Sequence, residues 1–332
     1  MPDSHNQKHC LLCGSSQIRL KESVAADLLV QSYAKAYHVN VESYFKATAS
    51  RVSLIACDDC GLLAYDPMPA GDAAFYEALQ QLPWYYQEIK PEYHFAKTHV
   101  RAKDRVLEVG CGKGVFRSFL ADSVDYSGLE FNHLAIKKAT GAGLHVTPEP
   151  IEQHAETHAG QYDVVCHFQV LEHVSNPRSF LEACAKVIKP GGKLIVAVPA
   201  EDSFLSLCEN GWLNMPPHHV TRWQDRTLRF ALESQLGFRV EEVWHEPVAD
   251  YHKDWHEGIL VNHAAKHLMA RRTALSASPT LFDRVAGRAS SYQPIRRWLL
   301  DSAKQKFPFA ARGHTVCAVS SNMRSGQELA GL

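Results

Sequence analysis

Four cysteines near the start of the chain form two short motifs of the same kind. Cys10 and Cys13 make one CxxC pair, Cys57 and Cys60 make the second, and a glycine follows each pair. Each CxxC can present two thiolates to one metal ion, and the following glycine permits a tight turn that frees backbone N–H groups for the sulfurs. A redox-active dithiol is the alternative for either pair alone. The two motifs together predict a tetrahedral structural Zn²⁺ site.

A glycine-rich segment follows a short apolar run further along the chain. Glu108, Gly110, Gly112 and Gly114 give the pattern E-x-G-x-G-x-G, with Cys111 inside it. Glycines at these positions let the backbone turn sharply and approach a ligand without obstruction by side chains. Between a strand and a helix, such a loop is typical of nucleoside-binding sites.

Glu130 ends the next predicted strand, where its carboxylate can accept hydrogen bonds from both hydroxyl groups of a ribose. The glycine spacing differs from the G-x-G-x-x-G of dinucleotide-binding proteins. Glu108 stands two residues before the first glycine, where it can orient the loop or the ammonium group of a ligand. The pattern therefore favours S-adenosylmethionine, a compact and positively charged nucleoside, over a nicotinamide dinucleotide.

These residues need a scaffold, and from Arg105 onward short β-branched runs alternate with amphipathic runs, as in a parallel sheet with crossover helices. The predicted strands are RVLEVG, DYSGLEF, HVTP, YDVVCHF, KLIVAVP and RVEEVWHE. The predicted helices are VFRSFLADS, HLAIKKATGAG, PRSFLEACAKVIKPGG and TLRFALESQLGF. Near the end, HTVCAVSSN is predicted to be the last strand of the same sheet, paired with RVEEVWHE.

The pattern divides the chain into four parts, because the two prolines and the glycine of DPMPAGD mark a boundary after the second cysteine pair. The predicted parts are a zinc-binding module (1–70), an aromatic linker (71–100), a nucleoside-binding domain (101–246 and 313–322) and a helical insertion or lid (247–312). We expect an inserted helical segment over 24–46 between the cysteine pairs and a short helix over 73–82.

An aromatic cluster in the linker comprises Trp84, Tyr85, Tyr86, Tyr93 and Phe95. Such a cluster either covers a ligand cleft or packs the linker against the main domain.

Composition excludes several classes of protein. Lysine and arginine total 35 against 36 for aspartate and glutamate, so no nucleic-acid partner is expected. The chain has nine cysteines, an odd number that suits reduced thiols better than a disulfide framework. The sequence offers neither a secretory leader nor an apolar run long enough to span a membrane. We therefore expect a cytoplasmic protein, and the sequence does not define its oligomeric state.

Four segments in order resemble the motifs of class I S-adenosylmethionine-dependent methyltransferases, especially the ubiquinone-biosynthesis-like branch. They are LEVGCGKG, GLEFN, YDVVCHFQVLEHVSNP and KPGGKLIVAVP, and the resemblance covers about residues 100–245. It implies an α/β fold with a Rossmann-like seven-stranded sheet. The CxxCG pair, with GLLAYDPMP after it, resembles the zinc-binding front module of sugar C-methyltransferases.

The resemblance also assigns roles to individual positions. The methionine portion of the cofactor would be bordered by Glu108, Gly110, Cys111, Gly112 and Gly114. Glu130 would hold the ribose, and Phe131 would flank the adenine. The sulfonium would lie near Phe168, Gln169 and Leu171. One position departs from the pattern. Where many relatives place an acidic residue against the adenine amino group, this chain has Pro150 and Ile151, and Glu149 or Glu152 could substitute.

Candidate catalytic residues are histidines. Methyl transfer by an SN2 reaction needs the acceptor lone pair in line with the sulfonium methyl group, and a base is needed only for hydroxyl or carbon acceptors. PPHHVTRW offers His218 and His219 in a loop where relatives place acceptor-side residues, and His173 lies in the LEH segment. His219 or His218 is the expected base, and His173 is a further candidate. The alternative is that these rings only support the loop.

The sequence thus predicts an enzyme that methylates a small molecule at oxygen or carbon. The zinc module points to a sugar or glycan precursor, and the catalytic resemblance points to a quinone-like or other secondary metabolite. The alternative is a non-catalytic protein that keeps the fold and uses its cysteine module to dock a protein partner. Nucleic-acid methylation is disfavoured because FQVLEH stands where such enzymes carry an N/D-P-P-Y/F tetrad.

Overall fold

The structure is a computed structural model that describes residues 7–46, 50–82, 85, 90–208, 211–268 and 292–324. Trp84 and Tyr86 of the predicted aromatic cluster lie outside these residues, as does much of the predicted 247–312 insertion.

The larger sheet has seven strands in the order β10-β11-β8-β7-β4-β5-β6. Its strands are β4 (Arg105–Val109), β5 (Asp125–Leu129), β6 (His145–Thr147), β7 (Tyr162–Phe168), β8 (Ile188–Pro199), β10 (Phe238–Pro247) and β11 (Arg312–Asn322). Strands β4 to β8 pair in parallel, and β11 runs antiparallel to both of its neighbours. This is the predicted Rossmann-like methyltransferase sheet, and the predicted pairing of the last strand with RVEEVWHE is confirmed.

Helices cover both faces of this sheet. They are α5 (His133–Gly141), α6 (Ile151–Thr157), α7 (Pro177–Lys186) and α8 (Asp225–Arg229), while α4 (Pro91–Ala96) precedes β4. Because side chains alternate along a strand, Val106 joins one buried cluster and Leu107 joins the other, and both are fully buried. The apolar composition of β4 therefore reflects its position in the middle of a sheet covered on both faces.

A smaller antiparallel sheet carries the cysteines. Its order is β1-β2-β3-β9, with β1 (Ile18–Ala25), β2 (Arg51–Cys57), β3 (Leu63–Asp66) and β9 (Thr221–Arg222). Helices α1 (Ala26–Tyr37) and α2 (Glu42–Phe45) lie between β1 and β2, within the segment predicted to be helical, and α3 (Ala73–Leu79) follows β3. Strand β9 lies between β8 and β10 in the sequence, yet it pairs in the smaller sheet. The chain therefore returns from the larger sheet to the smaller one long after the first 70 residues.

Three predicted helices differ from those observed. VFRSFLADS forms only a short 3₁₀ segment at Val115–Phe119, whose spacing directs Phe116 and Phe119 together onto Tyr93. The helix predicted to end at the Gly-Gly pair ends at Lys186, because β8 already begins two residues later and pairs with β7. TLRFALESQLGF divides into α8 and a π-helical segment at Phe230–Gln235.

Two helices precede the last strand, α9 (Lys253–Leu268) and α10 (Gln293–Lys306), and their apolar residues share a buried cluster. This agrees with a helical insertion before β11. Among the described residues, no helix is both long enough and apolar enough to cross a membrane.

Candidate functional site

The four cysteines meet at one point. Sγ of Cys10 lies 3.5 Å from Sγ of Cys60, and Sγ of Cys13 lies 3.5 Å from Sγ of Cys57. All four sulfurs lie within 4.8 Å of one another. Tetrahedral Zn²⁺ with bonds of about 2.3 Å would set its sulfurs about 3.8 Å apart, so the thiols fit a zinc ion with little movement.

The turns around the cysteines suit metal binding. Gly14 and Gly61 have φ angles of 75° and 82°, a left-handed conformation that favours glycine. The backbone N–H of Leu12 points at Sγ of Cys10 over 3.4 Å. The contact with Cys60 lowers the pKa of Cys10 to about 5, whereas the same contact raises the pKa of Cys60 and burial raises that of Cys13 to about 11.

Both cysteine turns pack on helices that cover the larger sheet. Nε of Arg178, on α7, donates to the carbonyl oxygen of Leu12 over 2.6 Å. A Cβ on Gly61 would meet Nε of Arg226, on α8, at 2.4 Å. The cysteine site is therefore joined to the larger domain by close contacts on both of its turns.

The glycine loop lies at the carboxyl edge of β4. Gly110, Gly112 and Gly114 have φ angles of 72°, 55° and 74°. The N–H groups of Gly110 and Cys111 both donate to the carbonyl oxygen of Leu129, at 2.8 and 3.0 Å, which folds the loop over β5. A Cβ on Gly110 would stand 2.5 Å from Cγ2 of Val170. Both this steric clash and the left-handed backbone conformation therefore favour glycine at this position.

Glu130 lies against this loop, as the sequence predicted for a residue that ends the second strand. Its Oε2 accepts the N–H of Gly112 over 2.8 Å, and its Oε1 accepts the N–H groups of Phe131 and Asn132, each over 2.8 Å. A carboxylate oxygen can accept more than one hydrogen bond, so Oε2 can also accept from a ribose hydroxyl. The ring of Phe131 is 61% exposed, and an apolar ring on this edge fits an adenine base.

Glu108 is buried beneath the loop. The hydroxyl of Tyr126 donates to its Oε2 over 2.5 Å, and burial raises the pKa of Glu108 to about 8. The carboxyl is thus bound to Tyr126 of β5 through one oxygen, and its role in orienting the loop or the ammonium group of a ligand stays a prediction.

The residues at the end of β7 take two different positions. Phe168 and Leu171 are buried, whereas Gln169 is partly exposed and has a φ angle of 59°. Nε2 of Gln169 donates to Oε1 of Glu92 over 3.1 Å and to Oγ1 of Thr315 over 3.2 Å. Gln169 therefore links α4 to the first residues of β11.

Of the two carboxylates considered as substitutes at the adenine position, Glu149 is bound to another side chain. Its Oε1 lies 2.6 Å from Nδ1 of His154, whose Nε2 contacts the hydroxyl of Tyr162. Glu149 is thus tied to α6.

His173, His218 and His219 form one cluster, with a ring nitrogen from each within 4.8 Å of the others. Nδ1 of His173 lies 2.6 Å from the carbonyl oxygen of His218, and Nδ1 of His218 lies 2.7 Å from that of Leu213. Because a carbonyl only accepts, both Nδ1 atoms carry hydrogen and both Nε2 atoms present lone pairs. Burial lowers the pKa of all three rings, that of His173 to about 4, so the rings are neutral near pH 7.

Nδ1 of His219 lies 3.1 Å from Oδ1 of Asn214, which accepts, so Nε2 of His219 presents a lone pair as well. The three Nε2 lone pairs have different surroundings. That of His218 lies 2.7 Å from the hydroxyl of Tyr85, which donates to it. Those of His173 and His219 lie 3.7 and 4.0 Å from Oε1 of Glu172. His173 and His219 therefore keep an accepting nitrogen beside a carboxyl group, while His218 is held by Leu213 and Tyr85.

Glu172 was not singled out from the sequence. Its side chain is 1% exposed, neither carboxyl oxygen has a hydrogen-bond partner among the described residues, and burial raises its pKa to about 8. Its position in the LEH segment, next to His173, was the available signal. Tyr76, whose hydroxyl lies 3.0 Å from Nδ1 of His173, had no sequence signal of its own.

Comparisons with known proteins agree with this geometry. Residues 82–243 match the model of a methyltransferase domain. The ubiquinone biosynthesis O-methyltransferase of Pectobacterium atrosepticum is 32% identical over an alignment of 146 residues, and the match covers 37% of this chain and 61% of that protein. The protein of the same name from Escherichia coli O139:H28 is 40% identical over 118 residues, or 33% of this chain and 46% of the relative.

A solved structure shares the fold. It is described as a SAM dependent methyltransferase from Archaeoglobus fulgidus, and it aligns with a TM-score of 0.51 and 17% identity over 74% of this chain and 99% of its own. The alignments with the two curated relatives span 61% and 46% of their lengths.

Proposed function

We propose that this protein is a class I, S-adenosylmethionine-dependent methyltransferase that methylates a small-molecule acceptor at oxygen or carbon, because residues 82–243 match the model of a methyltransferase domain. The observation that carries the proposal is the glycine bend held by Glu130 at the carboxyl edge of the sheet. His173 follows the neighbouring strand β7, and His218 and His219 cluster with it from the loop before β9. In open α/β sheets, ligands bind outside the carboxyl ends of the strands.

The cofactor half of the site lies on β4 and β5. Gly110, Gly112 and Gly114 would let the backbone approach the methionine portion. Glu130 would accept from the ribose, and Phe131 would pack on the adenine. S-Adenosylmethionine supplies, when bound, an electrophilic methyl group on a sulfonium. Glu108 keeps the loop in place through Tyr126, and Cys111 fills space below it.

The acceptor half lies beyond β7. Gln169 stands between the cofactor edge and Glu92, where its amide can orient an acceptor. Nε2 of His219 or of His173 would take the acceptor proton, and Glu172, whose pKa burial raises to about 8, would favour the resulting imidazolium once it has lost its own proton. We place His218 in a positioning role, because its two nitrogens are bound to Leu213 and Tyr85.

The acceptor is a sugar or glycan precursor, or another metabolite such as a quinone-like compound. Support for transfer to oxygen comes from the O-methyltransferase names of the curated relatives. Support for a sugar comes only from the likeness of the CxxCG turns to those of sugar C-methyltransferases. An acceptor screen that detects S-adenosylhomocysteine release would separate these classes.

Zn²⁺ bound by the four cysteines has a structural role, because four thiolates leave no open position for a substrate. The division of the chain at residues 70, 100, 246 and 312 stays a prediction, as does the cytoplasmic location. The alternative, a non-catalytic protein whose cysteine module docks a partner, has less support because both cysteine turns already pack on α7 and α8.

Calorimetry with S-adenosylmethionine and S-adenosylhomocysteine tests the proposal directly. We expect both to bind to the zinc-loaded protein at about one per chain. Absence of binding by either compound would leave the fold and remove the activity.

A further inference from the structure

The segment that carries His218 and His219, here called the histidine loop (residues 211–222), is folded into the cysteine-bearing part of the molecule. Trp212 and Met215 of this loop belong to the same buried cluster as α1 and strands β2 and β3. The loop lies between β8 and β10 in sequence, yet Trp212 and Met215 pack on residues from the first 85. The segment after β7 also contacts the loop, because the N–H of Val220 donates to the carbonyl oxygen of Glu172 over 2.9 Å and Nδ1 of His173 bonds the carbonyl oxygen of His218.

Tyr33, on α1, holds the start of the loop. Its side chain is fully buried, and its hydroxyl lies 2.8 Å from the carbonyl oxygen of Trp212 and 2.9 Å from that of Met215. The N–H groups of His218 and His219 both donate to the same Met215 carbonyl. The hydroxyl of Tyr33 therefore bonds the same Met215 carbonyl oxygen that accepts the backbone N–H groups of both histidines.

Strand β3 holds the end of the loop. Leu63 and Ala64 pair with Arg222 and Thr221 through the sheet, and the N–H of Tyr65 donates to the carbonyl oxygen of Val220 over 3.0 Å. The N–H of Gly71 donates to the carbonyl oxygen of Pro217 over 2.8 Å.

Strand β3 begins three residues after Cys60, and β2 ends at Cys57. The hairpin between them is closed by hydrogen bonds from the N–H of Cys57 to Leu62 and from that of Gly61 to Cys57, at 2.9 and 3.0 Å. A metal ion bound to Cys57 and Cys60 would fix the same hairpin. The position of β3, and with it the end of the histidine loop, thus depends on the cysteine site.

We propose that the cysteine-bearing sheet is the frame that positions the acceptor-side histidines, with Tyr33 and Tyr65 as positioning residues, so that zinc loading sets the geometry of the histidine loop and not that of the cofactor loop. Its catalytic consequence rests on the proposed function. The cofactor loop is held by bonds of Gly112 to Glu130 and of Gly110 to Leu129, which come from β4 and β5 themselves.

Hydrogen exchange measured by mass spectrometry on the full-length, zinc-loaded chain tests the inference without an acceptor. Tyr33→Phe removes only the hydroxyl, so we expect exchange in 211–222 to rise about tenfold, as for the loss of one buried hydrogen bond. Zinc content should stay at wild-type level, exchange in 105–130 should not change, and affinity for S-adenosylhomocysteine should stay within about twofold of wild type. Tyr44→Phe, whose hydroxyl bonds Asp72 instead, is the matched control and should match wild type.

Two further measurements keep the test decisive. Removal of zinc by a chelator should raise exchange in 211–222 in the same way, and the ring nitrogen resonances of His218 and His219 should move in Tyr33→Phe. If zinc removal unfolds the chain, hydrogen exchange in the zinc-loaded Tyr33→Phe variant alone tests the inference. Unchanged exchange in 211–222 in Tyr33→Phe would overturn the inference, and so would equal increases in 211–222 and 105–130. Failure of the wild-type protein to bind S-adenosylhomocysteine would instead remove the proposed function and leave the positioning role standing.

Discussion

Nε2 of His219 lies 4.0 Å from Oε1 of Glu172, a buried carboxyl oxygen for which the described residues provide no hydrogen-bond partner. Burial raises the pKa of Glu172 to about 8, so a carboxylate that stabilises a proton accepted by this nitrogen, and compensates in part for burial of the charged ring, is present only once Glu172 has lost its own proton. The same relationship distinguishes His219 from His218, whose Nε2 already accepts from Tyr85.

The first prediction concerns catalysis. His219→Ala should lower turnover with the acceptor found by screening by about 10²–10³-fold, because general base catalysis usually contributes on this scale. Affinity for S-adenosylhomocysteine should stay as in wild type, measured by calorimetry. His218→Gln is the comparison, and we expect a smaller loss of turnover together with greater hydrogen exchange in 211–222. Equal turnover in His219→Ala and wild type would exclude the base role.

The second prediction concerns stability against pH. The pKa of Glu172 is raised by burial to about 8, above the ordinary value of 4.5. The folded protein therefore keeps this proton while the unfolded chain loses it, and the contribution to stability declines as pH rises from about 4.5 through about 8. Glu172→Gln is neutral at every pH, so its unfolding midpoint should fall less than that of wild type between pH 5 and pH 9. Parallel curves for the two proteins would show that Glu172 is ionised in the fold.

The third prediction concerns the metal. Purified protein should contain about one zinc per chain, since four thiolates complete one tetrahedral site. The double variant Cys57→Ser with Cys60→Ser should lose it, measured by elemental analysis. Cys208→Ser, which changes a cysteine outside the motifs, should keep the wild-type content. If the double variant still contained zinc, the ion would be bound elsewhere, and the cluster of His173, His218 and His219 would be the candidate site.

Features that depend on short-range spacing were predictable from the sequence. The cysteine pairs, the glycine loop and Glu130 each lie within a few residues of a turn or strand end. Their spacing in the sequence therefore determines how the side chains and backbone groups are arranged there. The strands themselves could be inferred because buried parallel strands give continuous apolar runs such as KLIVAVP.

Contacts between distant segments were not predictable in the same way. Nothing in the spacing of Tyr33 or Tyr85 indicates that their hydroxyls meet a loop near residue 215, because these contacts form only when two sheets pack together. The short 3₁₀ segment after Gly114 also follows from tertiary packing, since Phe116 and Phe119 both reach Tyr93. The amphipathic pattern of VFRSFLADS was compatible with either helix type.

The last prediction concerns the cofactor loop. Glu130 accepts the N–H of Gly112 through one oxygen and the N–H groups of Phe131 and Asn132 through the other, so it fixes the loop as well as facing the expected ribose. Glu130→Ala should lower affinity for S-adenosylhomocysteine by at least about tenfold, since the loss of a charged acceptor usually costs about 1.5–3 kcal/mol. Glu156→Gln, on the exposed face of α6, is the control and should bind as wild type does. Calorimetry measures both, and a Glu130→Ala protein that binds with unchanged affinity would place the nucleoside elsewhere on the sheet edge.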